Sequence, residues 1–548
     1  MTFEPQAEAD RAPATVVIPD EAPEASRLVR SSVAVAAGTL LSRLSGLAKF
    51  ALLAYAIGRG TLADTYGIAN STPNIVYELV LGGVLAATLV PVFVDFRNDE
   101  RATSAIFTVG LSVLAMLTLV ALLAAPWIAD LYFRDPDPGQ REVATTLVRL
   151  LIPQMIFYGL TALATAVLNA RRRFVAAAFA PVLNNLVVIA MILTFVAVTS
   201  GPREGWEDVA TVEGDGGLLL LLGLGTTAGI VVMGLALVPA MLRAGIRIRP
   251  TFAWRHAAVR RVIRLSSWTI GYVIANQIAL LVVMILAAGE SGAIAAYQLA
   301  FLFLQLPHGL FAVSIMTTVM PELARSADDP DRYRERFGWG LRLLVLVVLP
   351  AAAAYAVLEE PLVGLMRFGA FDGGDVMITA EVVEAFALGL VAFSAYLFTM
   401  RGFYALQDTR TPFFINLGEN ALNIVLAAVL WPWLGVAGLA LSFSLSYIVG
   451  AAVAYALLAA RTGGLDGHRT LATAWRSAVA SLGLAATAGL IADVTWDGTP
   501  SSGLVTLVGA GGAGLVAYVS IVWALRTPGL GDLRGAIGPG ARTDDVDV

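Results

Sequence analysis

The 548-residue chain is 58% hydrophobic and only 14% charged, with a formal net charge of −5 and a mean hydropathy of +0.76, whereas soluble domains carry about 25% charged residues. Its repeated uncharged apolar runs of about 20 residues exclude a soluble domain, and they lack the alternation of a membrane β-barrel, which leaves spanning helices. The absence of cysteine and three scattered histidines (His256, His308, His468) exclude disulfides, thiolate or histidine metal clusters and a cysteine nucleophile.

Residues 1–30 are rich in Ala, Pro and Glu, have no hydrophobic period and read as a disordered cytoplasmic tail. The apolar stretch that follows is too long for a signal-peptide core and has no convincing cleavage site before it, so the first helix is expected in the mature protein. Apolar runs between polar breaks predict fourteen spans, near 31–57, 67–94, 104–133, 144–169, 175–199, 217–242, 262–288, 292–320, 338–366, 380–406, 412–430, 434–460, 474–492 and 502–525. An even count puts both termini on one side. With that side cytoplasmic, 27 of the 36 basic residues fall in cytoplasmic segments and 5 outside, so the positive-inside rule predicts cytoplasmic N- and C-termini in a multi-pass plasma (inner) membrane protein. The acidic loop 200–216 then lies outside.

A weak internal repeat runs through the chain. Arg43-Leu44-Ser45-Gly46 resembles Arg264-Leu265-Ser266-Ser267, Thr88-Leu89-Val90-Pro91 resembles Thr318-Val319-Met320-Pro321, and Asn169, Arg172 and Asn185 match Gln407, Arg410 and Asn423. The ordered offsets predict an all-α polytopic membrane protein of about 14 transmembrane helices, with two pseudo-symmetric six-helix lobes plus two C-terminal helices. The divisions are an N-lobe over 31–243, a C-lobe over 244–461, helices 13 and 14 over 462–526 and a cytoplasmic tail over 527–548.

Charged and amide side chains inside spans are expensive and usually face a cavity or a partner. Span 1 carries Arg43 and Lys49, the one lysine in the chain. They are six residues apart, too far round the helix for one narrow stripe but able to border a broad cavity at two depths. Lys49 is a candidate phosphate contact, with snorkelling or pairing to Glu78 as the bland alternative. Asn70, Asn74 and Glu78 recur every four residues on span 2 and form one polar face. Pro73, Gly82 and Gly83 on the same span suggest a bending helix. Asp64 stands at the outer mouth of span 2, as a gating candidate or an exposed loop acid. Gln298, Gln305 and His308 on span 8 and Arg401 on span 10 complete the cavity or gating candidates, and His308 reads more readily as a packing histidine than as a proton sensor. Asn184, Asn185, Asn276, Asn416, Glu419, Asn420 and Asn423 suit cavity or interlobe hydrogen bonds. No P-loop and no Ser/His/Asp set with recognisable context is present, so a P-loop ATPase is excluded and no catalytic residue is assigned. The seven arginines from Arg243 to Arg264 set topology and meet anionic headgroups.

The stretches Leu41-Ser42-Arg43-Leu44-Ser45-Gly46, Leu62-Ala63-Asp64, Asn70-Ser71-Thr72-Pro73-Asn74-Ile75-Val76-Tyr77-Glu78-Leu79, Gln305-Leu306-Pro307-His308-Gly309-Leu310-Phe311 and Gly402-Phe403-Tyr404-Ala405-Leu406-Gln407-Asp408-Thr409 resemble the MurJ/MviN family, in its actinobacterial form. The resemblance covers roughly residues 30–525. It implies the multidrug/oligosaccharidyl-lipid/polysaccharide exporter fold and a flippase, not an enzyme. Such a flippase moves lipid II, a polyprenyl-diphosphate glycolipid, from the inner to the outer leaflet by alternating access in peptidoglycan and cell-wall biogenesis. It further implies that Arg43 matches a first-helix arginine facing the diphosphate, that Lys49 replaces a second arginine with its charge kept, and that Asp64 matches an acid opening the second helix. Phe301, Leu302 and Gln305 stand where many members carry an Asp-Arg pair and a Glu, so a less charged second-lobe wall is expected. Membrane lipids and cell-wall synthesis proteins are the further expected partners; no nucleic acid, metal or cofactor is, and the sequence leaves open whether an ion or the membrane potential drives closure. The rival readings are an exporter of another polyprenyl-linked glycan or of a small drug, and a membrane-embedded glycan transferase.

Overall fold

The computed structural model describes residues 22–78, 89–133, 138–199 and 208–528. Gly82 and Gly83, the first residues of the acidic loop and the greater part of both predicted tails lie outside the described residues. The described chain is built almost entirely of helices: α1 (Ala22–Ile57), α2 (Thr61–Tyr77), α3 (Val90–Asp95), α4 (Glu100–Leu123), α5 (Ala125–Tyr132), α6 (Pro138–Leu151), α7 (Gln154–Ala170), α8 (Phe174–Val198) and α9 (Gly216–Arg243). They continue as α10 (Ala257–Ala287), α11 (Ala293–Pro307), α12 (Val313–Arg325), α13 (Pro330–Tyr355), α14 (Glu359–Gly364), α15 (Gly373–Ala405), α16 (Arg410–Thr462), α17 (Gly467–Thr495) and α18 (Pro500–Ala524).

Twelve helical stretches among the described residues are long and apolar enough to cross a membrane. One is α16, whose 53 residues would measure about 80 Å, far more than the ~30 Å hydrocarbon core. Gly435, with φ 52° and ψ −138°, breaks it into the two spans expected there. A backbone conformation of that kind is essentially open to glycine alone. Of the remaining predicted span, 67–94, α2 and α3 hold the two ends, and residues 79–88 lie outside the described residues.

Boundaries moved where polar residues extend a helix beyond its apolar core. α1 begins at Ala22, inside the segment read as tail. α13 starts at Pro330, with Asp329 accepting from the backbone N–H groups of Asp331 and Arg332, and stops at Tyr355, so the predicted span 338–366 is one long helix plus the separate α14. Charged first turns do not end a helix whose N-terminus is capped. Asp99, Asp215 and Asp372 cap α4, α9 and α15 in the same way.

α1 packs on α8, α8 on α9, and α7 on α4 and α9; in the second half α16 packs on α10 and α15, and α11 and α13 on α15. α17 pairs with α18 and lies on α13, where the Tyr518 hydroxyl donates to the Leu346 carbonyl at 2.7 Å. Each half carries a similar amide tie. Asn185 of α8 donates to the Ser42 carbonyl and Ser45 hydroxyl of α1, and Asn416 and Asn420 of α16 donate to Asn276 Oδ1 of α10. Each of these bonds joins two helices of the same half. Such bonds contribute roughly 0.6 kcal/mol each in membranes. The two halves meet where α2 faces α11 and where α10 faces α3, α4 and α5. Met116, Leu119, Val120 and Leu123 of α4 and Leu504, Val508 and Val516 of α18 are exposed, an apolar surface suited to lipid and not to water.

Candidate functional site

The seam between α2 and α11 is sealed at one end by a run of contacts three to four residues apart. Asp64, 3% exposed, accepts from the backbone N–H of Gly292 at 2.6 Å and of Ala295 at 2.9 Å. It thus caps the N-terminus of α11 from the other half of the molecule and meets the positive end of that helix dipole. Gly67 lies against Gln298, where a Cβ would come within 3.1 Å of Oε1, and Gln298 Nε2 donates to Ser71 Oγ at 3.1 Å. Asp64 is therefore a buried cap and not an exposed loop acid.

A second set of contacts closes the same end. Arg59, in the turn between α1 and α2, pairs with Asp375 of α15 at 3.0 Å and donates to the Ser291 carbonyl at 3.1 Å. The pair is well shielded, with side chains 13% and 8% exposed. The Tyr55 carbonyl accepts from the Ala370 N–H at 3.0 Å. Gly292 has φ +78°, and a Cβ there would lie 2.6 Å from Arg59 Cγ, so the close approach of the two halves requires glycine. Neither Arg59 nor Asp375 stood out in the sequence. Their partnership spans 316 residues, and the local signal at Asp375 is only that of a helix-capping acid.

Beneath the seal lies a cavity of about 430 Å³ between α1, α2, α10 and α11. Among the predicted residues, Asn70, Asn74, Gln298 and Gln305 line it, joined by Ser71 and Tyr66 and by the apolar Phe50, Phe301 and Leu302. Its α11 wall is uncharged, because Phe301, Leu302 and Gln305 form it. Glu78, which follows the last turn of α2, and Asp64 lie outside this lining.

The basic candidates sit farther from the sealed end. Arg43 lies about 10 Å along α1 from Phe50, seven residues at 1.5 Å each. It is exposed, and its guanidinium lies beside Gly309, where a Cβ would come within 3.3 Å of it. Pro307 lacks the N–H that a regular helix needs, and the backbone widens there into a π-type turn over His308–Ala312. His308 packs on Phe393 with ring centroids 4.6 Å apart, and its Nδ1 is 3.0 Å from Ser394 Oγ. Arg43 and the half-buried Arg401 both stand within electrostatic reach of His308. Lys49 is half-buried, with Nζ 4.9 Å from the centre of the Phe50 ring. Among the described residues no ion pair joins it to Glu78. Arg43 and Arg401 thus stand as a basic mouth beside the buried His308, with Asn70, Asn74, Gln298 and Gln305 as a polar chamber above it. Three or more His, Cys, Asp or Glu side chains in a metal-holding group do not occur among the described residues.

The family model for lipid II flippase MurJ matches residues 53–509. A probable lipid II flippase MurJ of Vibrio cholerae is 28% identical over 537 residues, covering 93% of this chain and 98% of that protein. The probable lipid II flippase MurJ of Haemophilus influenzae is 31% identical over 454 residues, covering 77% and 84%. Among solved structures, a lipid II flippase MurJ in an inward closed conformation superposes with a TM-score of 0.72 at 20% identity, covering 90% of this chain and 99% of that one. An inward-facing MATE multidrug transporter of the MOP superfamily follows the same fold at a TM-score of 0.62 and 13% identity, covering 77% and 94%.

Proposed function

The chain belongs to the MurJ family of lipid II flippases, and from that premise we propose that it carries lipid II across the plasma membrane by alternating access between two lobes, residues 31–243 and 244–461. The observation that carries this reading is the chamber sealed at one end by Asp64 and Arg59 and bordered toward the other by Arg43 and Arg401. The arginine distribution puts both termini in the cytoplasm, so the sealed end faces outward and the basic mouth faces the leaflet where the substrate is made.

Arg43 and Lys49 receive the diphosphate, with Arg401 reinforcing them. Charge-assisted hydrogen bonds to phosphate offset the desolvation of these side chains. Asn70, Asn74, Gln298 and Gln305 bind the glycan, and Glu78 tunes the charge at the inner end of α2. The chamber is smaller than a glycopeptide headgroup, so loading widens it at the mouth while the outer seal holds. Release then requires the α2–α11 seam and the Arg59–Asp375 pair to part. Helices α17 and α18 shelter the polyprenyl chain, and cell-wall synthesis proteins receive the product.

Depletion of the protein is expected to accumulate lipid II in the inner leaflet and stop wall synthesis; unchanged exposure of lipid II on the outer leaflet overturns the reading. Arg43→Ala with Lys49→Ala is expected to abolish complementation of a depleted strain at unchanged protein level, and full growth of that double variant removes the diphosphate role. Native mass spectrometry with lipid II against other polyprenyl carriers separates this cargo from a related glycan.

A further inference from the structure

The connection between the halves, residues 244–256, is not a slack linker. Ile246 is 4% exposed and packs with Ile248 and Ala253 on the apolar core of α3, α4 and α7. The backbone N–H groups of Arg249 and Thr251 donate to Ser104 Oγ at 3.2 Å and Thr108 Oγ1 at 2.9 Å, both on α4. In an extended chain side chains alternate between two faces. Here the buried face switches register at Pro250: Ile246 and Ile248 are covered before it, and Thr251 and Ala253 are partly covered after it. Arg247, Arg249, Phe252 and Trp254 are thereby all left on the uncovered side, with Phe252 74% and Trp254 62% exposed. Arg255 lies over the Trp254 ring at 4.6 Å.

Two large exposed aromatics flanked by arginines are not a surface for bulk water. Ser104 and Thr108 lie about 6 and 12 Å from the start of α4, a helix that spans the bilayer core. The strap therefore lies at headgroup depth, where tryptophan and arginine are favoured at a membrane interface. No acidic residue occurs between Arg243 and Arg264. Of the acids near the start of α4, Asp95 is engaged by Arg261 at 2.7 Å and Asp99 by His256 at 3.5 Å, pairs that fasten the start of α10 to the first half, and Glu100 is exposed in the first turn of α4.

We propose that the exposed face Arg247-Arg249-Phe252-Trp254-Arg255 is an in-plane anchor that binds anionic phospholipid headgroups. The aromatics enter the headgroup–acyl boundary and the guanidinium groups grip the phosphates. The anchor holds the first turn of α10 at a fixed depth while the lobes move. It stands apart from the chamber and requires only that the chain span a bilayer.

The chain has no cysteine, so Phe252→Cys gives a unique position for an environment-sensitive fluorophore in the full chain. The labelled protein is reconstituted in phosphatidylcholine vesicles with and without phosphatidylglycerol. The probe is expected to become more shielded from an aqueous quencher when phosphatidylglycerol is present. Arg247→Gln, Arg249→Gln and Arg255→Gln together are expected to abolish that response and to lower phosphatidylglycerol retention in native mass spectrometry about a hundredfold, while the three Lys replacements keep both. Equal quenching in the two vesicles, or wild-type phosphatidylglycerol retention by the Gln variant, overturns the proposal. Because lipid II is absent from both measurements, their outcome is independent of the chamber's cargo.

Discussion

Asp64 accepts both of its hydrogen bonds from the first turn of a helix in the opposite half of the molecule. A side chain that caps its own helix contributes to stability alone, whereas one that caps a partner across a moving seam also sets which conformation is populated. Removing it leaves buried N–H groups unpaired, at roughly 1–3 kcal/mol. Asp64→Ala is accordingly expected to loosen the seal and speed modification of a cysteine placed at Leu299 by an impermeant thiol reagent, by about tenfold for a loss near 1.4 kcal/mol; an unchanged rate rules out a sealing role. Glu359, in α14 outside the spans, makes a second prediction. Burial pushes its carboxyl up to about 7 against its own backbone hydrogen bond, and Glu384 and Glu360 add to the rise. Its Oε2 is buried without a partner. The folded state therefore holds a proton that the unfolded chain releases near 4.5, the ordinary value, and stability falls as pH climbs from there to about 7. Glu359→Gln is expected to flatten that part of the Tm–pH curve, and a slope equal to wild type counts against this account. The amides Asn70, Asn74, Gln298 and Gln305 were legible in the sequence because uncharged polar groups inside apolar helices need a reason to be there. Arg59 and Asp375 were not, since each looks like an ordinary loop or capping residue until the other is placed beside it.

At the scale of elements, the apolar runs locate the membrane-crossing helices, and the differences fall at ends and breaks. α13 runs through Asp331, Arg332 and Arg334 because a capped helix continues into water at little cost. α16 turns between its two spans at Gly435, whose φ and ψ are non-helical. Gly435→Ala is expected to destabilise by about 1–3 kcal/mol, since a β-carbon is strained at φ 52° and ψ −138°. A thermal unfolding series would read this directly, and a neutral effect would mean that the two spans join through some other conformation. The π-type turn at His308–Ala312 follows from Pro307 and brings Gly309 against Arg43. The sequence shows the proline but not the side to which the widened turn carries His308, because that depends on what packs against it.

For the whole molecule, the contact between α2 and α11 sets the state: one end of the chamber is shut, with Arg59 in the seal, and Arg43 and Arg401 lie toward the other. A family of flippases is a transporter family, and the chamber wall is made largely of amide, hydroxyl and apolar side chains. What the sequence determined by itself was the medium and the material: its apolar length and sparse charge require membrane-spanning helices, and the few polar residues left inside them point to the chamber wall. Only the tertiary structure decided which of those residues meet. The Asp64 clasp, the Arg59–Asp375 pair and the grouping of Arg43 with His308 and Arg401 each join segments more than 200 residues apart. Hydrophobic periodicity reports how a helix faces its surroundings, whereas the partner it faces is chosen by how all the helices pack together.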